Sequence, residues 1–179
     1  LGATAQANPL ADQARAIIRS KPASVRAAPE DNFVLRDSIR DLDGTEHVRF
    51  DRTWRGLPVI GGDVVVHQKA GKFRSASLGL STSMRPSLSP RIKADAAEVE
   101  AGAKFGGDID AIESKGLVVY ALNHIPVLAY EVRVRGVSPT QGEADMRYFV
   151  DARTGKVLDK WNIIHTAAAS GVGTFSWRR

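Results

Sequence analysis

His47-Val48-Arg49-Phe50-Asp51-Arg52-Thr53-Trp54 decides how the chain is read, because its side chains change character with a period of two. Val48, Phe50 and Trp54 share one face of an extended segment and His47, Arg49, Asp51 and Thr53 share the other, the pattern of a half-buried strand. The period of two begins at Phe33, and Asp43-Gly44 supplies a hairpin turn ahead of the segment. Downstream, Leu57-Pro58-Val59-Ile60-Gly61-Gly62 must bend, since proline removes a ladder donor and the paired glycines permit a bulge or positive φ. A strand resumes from Asp63 to Gln68, turns at Lys69-Ala70-Gly71 and is followed by a last strand from Lys72 to Ser77.

On the N-terminal side, Asn8-Pro9 reads as an N-cap and first helical residue. Leu10, Ala14, Ile17 and Ile18 then fall on one face, so residues 9–20 form a short helix that Lys21-Pro22 stops. Residues 80–91 are rich in Ser and Pro, lack periodicity and read as a linker. Ile92 to Phe105 is a second helix with Ile92, Ala96, Val99, Ala103 and Phe105 as its apolar stripe, ended by Gly106-Gly107. Leu117 to Leu122, Val127 to Arg135 and Arg147 to Val150 are strand-like, and Asp151 to Gly155 turns into a final strand from Lys156 to Trp161. The expectation is an α+β chain of two lobes, 8–79 and 92–161, each a helix followed by antiparallel strands, with a tail from 162 to 179.

The composition narrows function by exclusion. The 179 residues include no cysteine, which removes disulfides, thiol catalysis and Cys-ligated metals. Hydrophobic residues make up 43%, enough for a core, yet the longest apolar runs are only strand-length, so no membrane span is expected. The net charge of +5 is spread through both halves, and Arg49-Phe50-Asp51-Arg52 and Glu131-Val132-Arg133 interleave the two signs. That is a solvated mixed surface, not a nucleic-acid footprint. The four histidines, His47, His67, His124 and His165, lie 20, 57 and 41 residues apart, and none makes the i, i+4 pair of a helical zinc site. His67 and His124 read as structural. A Gly-x-Ser-x-Gly elbow, a phosphate loop and a dinucleotide fingerprint are all absent, and Asp108 and Asp110 read as turn residues beside glycines. No residue pattern in the chain marks an enzyme.

Both ends carry processing features. Leu1-Gly2-Ala3-Thr4-Ala5-Gln6-Ala7 ends in Ala-x-Ala and reads as a signal-peptide remnant, which places the chain outside the cytosol, secreted or periplasmic. Ala167 to Thr174 is small, polar and connector-like after the apolar Trp161 to Ile164.

The contiguous stretch from His47 through Arg55-Gly56-Leu57-Pro58-Val59-Ile60-Gly61-Gly62-Asp63 to His67 resembles the fungalysin/thermolysin propeptide module. Leu128 to Val132 and Tyr148 to Leu158 are similar to the PepSY module that follows it in precursors of bacterial thermolysin-like zinc metallopeptidases, and Trp161 to Ala169 resembles the junction with the mature enzyme. The resemblance implies two cystatin-like lobes, each a helix packed on a curved antiparallel sheet, with an extended C-terminal tail. It implies a non-catalytic propeptide that acts as intramolecular chaperone and then as cleft-blocking inhibitor of its cognate catalytic domain, where zinc and calcium would reside. The inhibitory tail and cleavage region would be Asn162, Ile163, Ile164, His165, Thr166 and Ala167, with the cut at His165-Thr166 or Thr166-Ala167.

Arg49, Arg52, Trp54 and Arg55 stand as possible protease contacts because Arg and Trp favour interfaces, with a Trp54 core and solvated arginines as the structural reading. Gly56, Pro58, Gly61 and Gly62 read as backbone-shape residues, and Tyr130, Phe149 and Trp161 as core. The chain stops at Arg179 without a catalytic domain, consistent with a processed or truncated product or an orphan propeptide-like protein. The second functional reading is a free-standing PepSY-type protease inhibitor or envelope binding module acting in trans; an enzyme with a hidden site is the third.

Overall fold

The structure is a computed structural model and describes residues 8–123 and 125–164. It is α+β, with two α-helices, a short 3-10 turn and nine strands among the described residues. Backbone packing divides the chain into two compact units, residues through Ser87 with Val118–Val127, and Leu88–Leu117 with the residues from Leu128 onward.

In the first unit, α1 (Pro9–Ser20) begins where Asn8 accepts a hydrogen bond from Ala11 N at 3.1 Å, and the Lys21 N–H closes it on Ile17 O. The N-cap and Pro at the first turn do here what their chemistry requires. Ala11, Ala14, Ile17 and Ile18 are buried against Val48, Phe50, Val64 and Val66, the inward side chains of β2 (Thr45–Trp54) and β4 (Val64–Lys69). Strand β1 (Asp31–Arg40) pairs antiparallel with β2, with a register shift between Leu35 and Asp37. On the other side of β2 lies β4, followed by β5 (Lys72–Leu78), both antiparallel.

The bend at 57–62 has a specific form. Arg55 and Gly56, both at positive φ (+48° and +79°), make a two-residue turn that folds β3 (Leu57–Ile60) back on Thr53 and Trp54. Gly61, at φ +80°, then turns the chain toward β4. A Cβ on Gly79 would sit 2.1 Å from the Gly61 carbonyl oxygen, so the two backbones touch and only glycine fits. Val59 and Ile60 pair in parallel with Val119 and Tyr120, the end of β6 (Asp108–Tyr120).

The second unit contains α2 (Ala94–Phe105), the start of β6, β7 (Val127–Ser138), β8 (Gly142–Asp151) and β9 (Val157–Asn162), with β7/β8 and β8/β9 antiparallel. Two expectations are corrected here. The buried stripe of α2 is Ala97, Ala101 and Phe105, while Val99 is 70% exposed. Alanine at i, i+4 lets the helix lie close to the sheet, and that approach outweighs the larger side chain one position round. Asp108 and Asp110 stand on a strand and not in a loop. The local turn preference of Asp yields to pairing beside Gly136, where an added Cβ would meet the Asp108 carbonyl oxygen at 2.0 Å. Tyr130, Phe149 and Tyr148 are buried, and the Tyr130 hydroxyl donates to Ile92 O. Among the described residues no helix is long and apolar enough to cross a membrane.

Candidate functional site

Strand β2 sorts the expected contact residues by parity. Glu46, Val48, Phe50, Arg52 and Trp54 are all buried, so Arg52 and Trp54 point into the first unit. This corrects the expectation that the two lie on a contact surface with Arg49 and Arg55. Arg52 is 2% exposed and spends its donors internally, on Val25 O at 2.6 Å, Gly62 O at 2.9 Å, Arg26 O at 3.0 Å and Asp31 Oδ2 at 2.9 Å. Burial pulls its guanidinium below the usual arginine value, against the pull of Asp31. The same Asp31 carboxylate accepts from Arg85 Nη2 at 2.6 Å and Nε at 3.2 Å, and from the Ala28 N–H at 3.0 Å. Arg85 comes from the Ser/Pro-rich stretch that reads as a linker, and its side chain is only 4% exposed. One carboxylate thus pins that stretch and braces β2 from inside. Trp54 donates Nε1–H to Pro29 O at 3.1 Å.

Arg49 and Arg55 remain toward solvent. Arg55 pairs with Glu30 at 2.5 Å and lies over the Trp54 ring, 5.1 Å from its centroid. With Pro29, Glu30, Trp54, Ser83 and Arg85 it borders a depression of about 230 Å³.

A pairing that sequence reasoning missed lies on the same outward face. His67, which reads as structural, and His47, which has no second histidine at helical spacing, are opposed across β2 and β4, with Nδ1 atoms 2.5 Å apart. His47 Nε2 meets Asp41 Oδ2 at 2.8 Å and His67 Nε2 meets Ser77 Oγ at 2.8 Å. Partial burial, and then the His47 ring, lower the pKa of His67. Parity puts both residues on the outward face, but only the register of β2 with β4 makes them partners.

In the second unit, the end of β9 places Asn162 opposite Met146, with its amide donating to Gln141 Oε1 at 2.7 Å and accepting from Ile164 N at 3.1 Å. Ile163 is half-buried and Ile164 exposed. His165, Thr166 and Ala167, the signal remnant at 1–7 and His124 lie outside the described residues. Before Asn162, Trp161 packs edge-on against Phe149 at 4.8 Å, with Arg147 over both rings. Arg147 pairs with Glu131, and Arg133 grips Asp145 with two hydrogen bonds. The Arg133 bond holds the Asp145 carboxyl below its usual range. Among the described residues no group of three or more His, Asp or Glu side chains is placed to hold a metal ion.

Residues 31–78 match the Fungalysin/Thermolysin Propeptide Motif (FTP), and residues 92–161 match the Peptidase propeptide and YPEB domain (PepSY). The chain is 36% identical over 138 residues to the transglutaminase-activating metalloprotease of Streptomyces mobaraensis, covering 72% of this chain and 18% of that protein. It is 36% identical over 140 residues to the thermolysin of Bacillus caldolyticus, covering 69% and 24%, and 31% identical over 153 residues to neutral protease B of Bacillus subtilis, covering 79% and 28%. The chain therefore spans less than a third of the length of these relatives. Among solved structures, the YpeB C-terminal domain of Bacillus megaterium aligns with TM-score 0.42 at 16% identity, over 89% of this chain and 67% of that one. With both propeptide modules present and in sequence order, the chain belongs to the FTP and PepSY propeptide family of thermolysin-like metalloproteases.

Proposed function

We propose that this chain is the pro-region of a secreted or periplasmic thermolysin-like zinc metalloprotease, and that it assists folding of the catalytic domain and then blocks the cleft until cleavage near His165. The observation that carries the reading is the uninterrupted order of the FTP motif, the PepSY domain and a β9 strand whose last residue, Asn162, opens the segment expected to enter the cleft. An extended segment fits a protease cleft as a substrate does, and a carbonyl or newly cut carboxylate oxygen is a ligand that a catalytic zinc accepts. Zinc and calcium belong to the partner in this reading, and the pro-region contributes no catalytic group. A helix packed with antiparallel strands in each unit supports the cystatin-like description; the proposed bounds by sequence are lobes at 8–79 and 92–161, a linker at 80–91 and a tail from 162, although Val118–Val127 packs with the first unit. Arg49 and Arg55 are the candidate protease contacts that reach solvent.

Mixing the chain with a mature thermolysin-like protease slows peptide hydrolysis in this reading, and a variant lacking residues 163–179 inhibits at least about tenfold less while keeping its thermal unfolding. No slowing at micromolar concentration would refute it. Co-refolding separates chaperone from simple inhibitor: denatured catalytic domain regains activity only when the chain is present, whereas inhibition without refolding assistance favours an inhibitor acting in trans.

A further inference from the structure

Two imidazoles converge on the outward face of the first unit. His47 and His67 are direct cross-strand partners, their ring centroids 4.8 Å apart and their planes at 73°. An N···N approach of 2.5 Å holds one proton between two nitrogens, so at least one Nδ1 lone pair points at the opposite ring. The far nitrogens are already held. Asp41 Oδ2, 2.8 Å from His47 Nε2, takes that N–H and leaves His47 Nδ1 as the bare nitrogen; Ser77 Oγ steadies His67 Nε2 at the same distance. A carboxylate behind a histidine is the arrangement that orients metal-ligating imidazoles and raises their basicity. Both rings are partly exposed, which leaves room for water on the open side.

We propose that His47 and His67 form a two-imidazole site for a divalent transition-metal ion, copper(II) ahead of zinc(II), which binds between the two Nδ1 atoms as His67 moves its proton from Nδ1 to Nε2 and donates it to Ser77 Oγ, and which clips β2 to β4. Metal–nitrogen bonds of about 2.0–2.1 Å open the nitrogens from 2.5 Å to about 3 Å on loading, a change that side-chain rotation of two surface residues absorbs. Water completes the coordination, since the described residues offer no third close ligand. The copper preference follows the general order of affinity for nitrogen ligands. The chain has no cysteine and only two further histidines, so competing protein sites are few. This inference does not rest on the propeptide reading.

Titration calorimetry of the full chain with copper sulfate is expected to show saturable binding that weakens at least about tenfold in His47→Asn and in His67→Asn and is unchanged in a His124→Asn, His165→Asn double variant. Equal affinity in wild type and in the His47→Asn, His67→Asn double variant would overturn the site. Imidazole NMR of the wild type with zinc chloride guards against variants that fail to fold: the nitrogen resonances of His47 and His67 shift together, and a spectrum in which they stay still while zinc is in excess also overturns it. A readout on protease inhibition is not needed, so failure here leaves the propeptide reading untouched.

Discussion

Replacing Asp31 by asparagine tests whether one carboxylate holds the first unit together. Its side chain is 1% exposed and faces Arg52 and Arg85 at 0% and 4%, so both cations sit where water cannot screen them. Asparagine keeps one acceptor oxygen but loses the charge, and it turns an amide N–H₂ toward guanidinium donors at 2.6–3.2 Å. Removing one partner of a buried ion pair costs about 3–5 kcal/mol, chiefly because the other charge is left unpaired. Against a total of about 5–15 kcal/mol for a typical domain, that loss is close to unfolding. Urea unfolding followed by Trp54 fluorescence, in a Trp161→Phe, Trp177→Phe background, measures it; the Trp54 bond to Pro29 O lies beside the cluster and reports its loss. Two cations share the carboxylate, so Arg85→Met in the Asp31→Asn background removes one uncompensated charge and the double variant is less destabilised than the sum by about 1–3 kcal/mol. Asp31→Asn should also release the stretch around Arg85 to trypsin. A cost below about 1 kcal/mol, or strict additivity with Arg85→Met, would show that the cluster is not the brace described.

Gly79→Ala should destabilise the first unit by about 1–3 kcal/mol in the same assay, because the new methyl meets the Gly61 carbonyl at 2.1 Å; a neutral result would mean the two backbones are free to part. His67 makes stability depend on pH. Its pKa is lowered in the folded state by burial first and His47 second, so the unfolded chain binds the proton more readily; the contribution is present above about pH 6.5 and is lost as pH falls from there through the folded value. The unfolding midpoint of the first unit is expected to drop between pH 7.5 and 5.5, and His67→Phe to flatten that slope. Hydrogen bonds from the Thr45 N–H and hydroxyl hold the nearby Asp43 carboxyl below its usual range, outside this window.

Much of the fold was legible because local chemistry and packing agree. Asn8-Pro9 and Lys21-Pro22 bracket α1 within the limits that capping and proline allow. The period of two through Val48, Phe50 and Trp54 marks the inward face of β2, and the same rule applied strictly places Arg52 inward as well. Arginine is so seldom buried that composition argues against parity, and parity wins because Asp31 and three carbonyls wait inside. The stripe of α2 was misread for a related reason: small alanines permit close approach, which hydrophobicity alone does not weigh. β6 begins some nine residues earlier than its apolar run, since a strand can be specified by a neighbour such as Gly136 and not by its own side chains. The candidate protease-facing tail was legible only as resemblance.

By itself the sequence determined what short-range physics controls: element order, the faces of α1 and β2, the glycine-dependent bend, the absence of thiol chemistry, and two propeptide modules in order. Contacts between residues far apart in the chain belong to tertiary structure alone. Asp31 meets Arg85 across 54 positions and His47 meets His67 across 20, and no local period encodes either partner. The first meeting sets how the unit is braced, and the second places two nitrogens where an ion can bind between them, because strand pairing brings together side chains whose spacing along the chain carries no information about their distance in space.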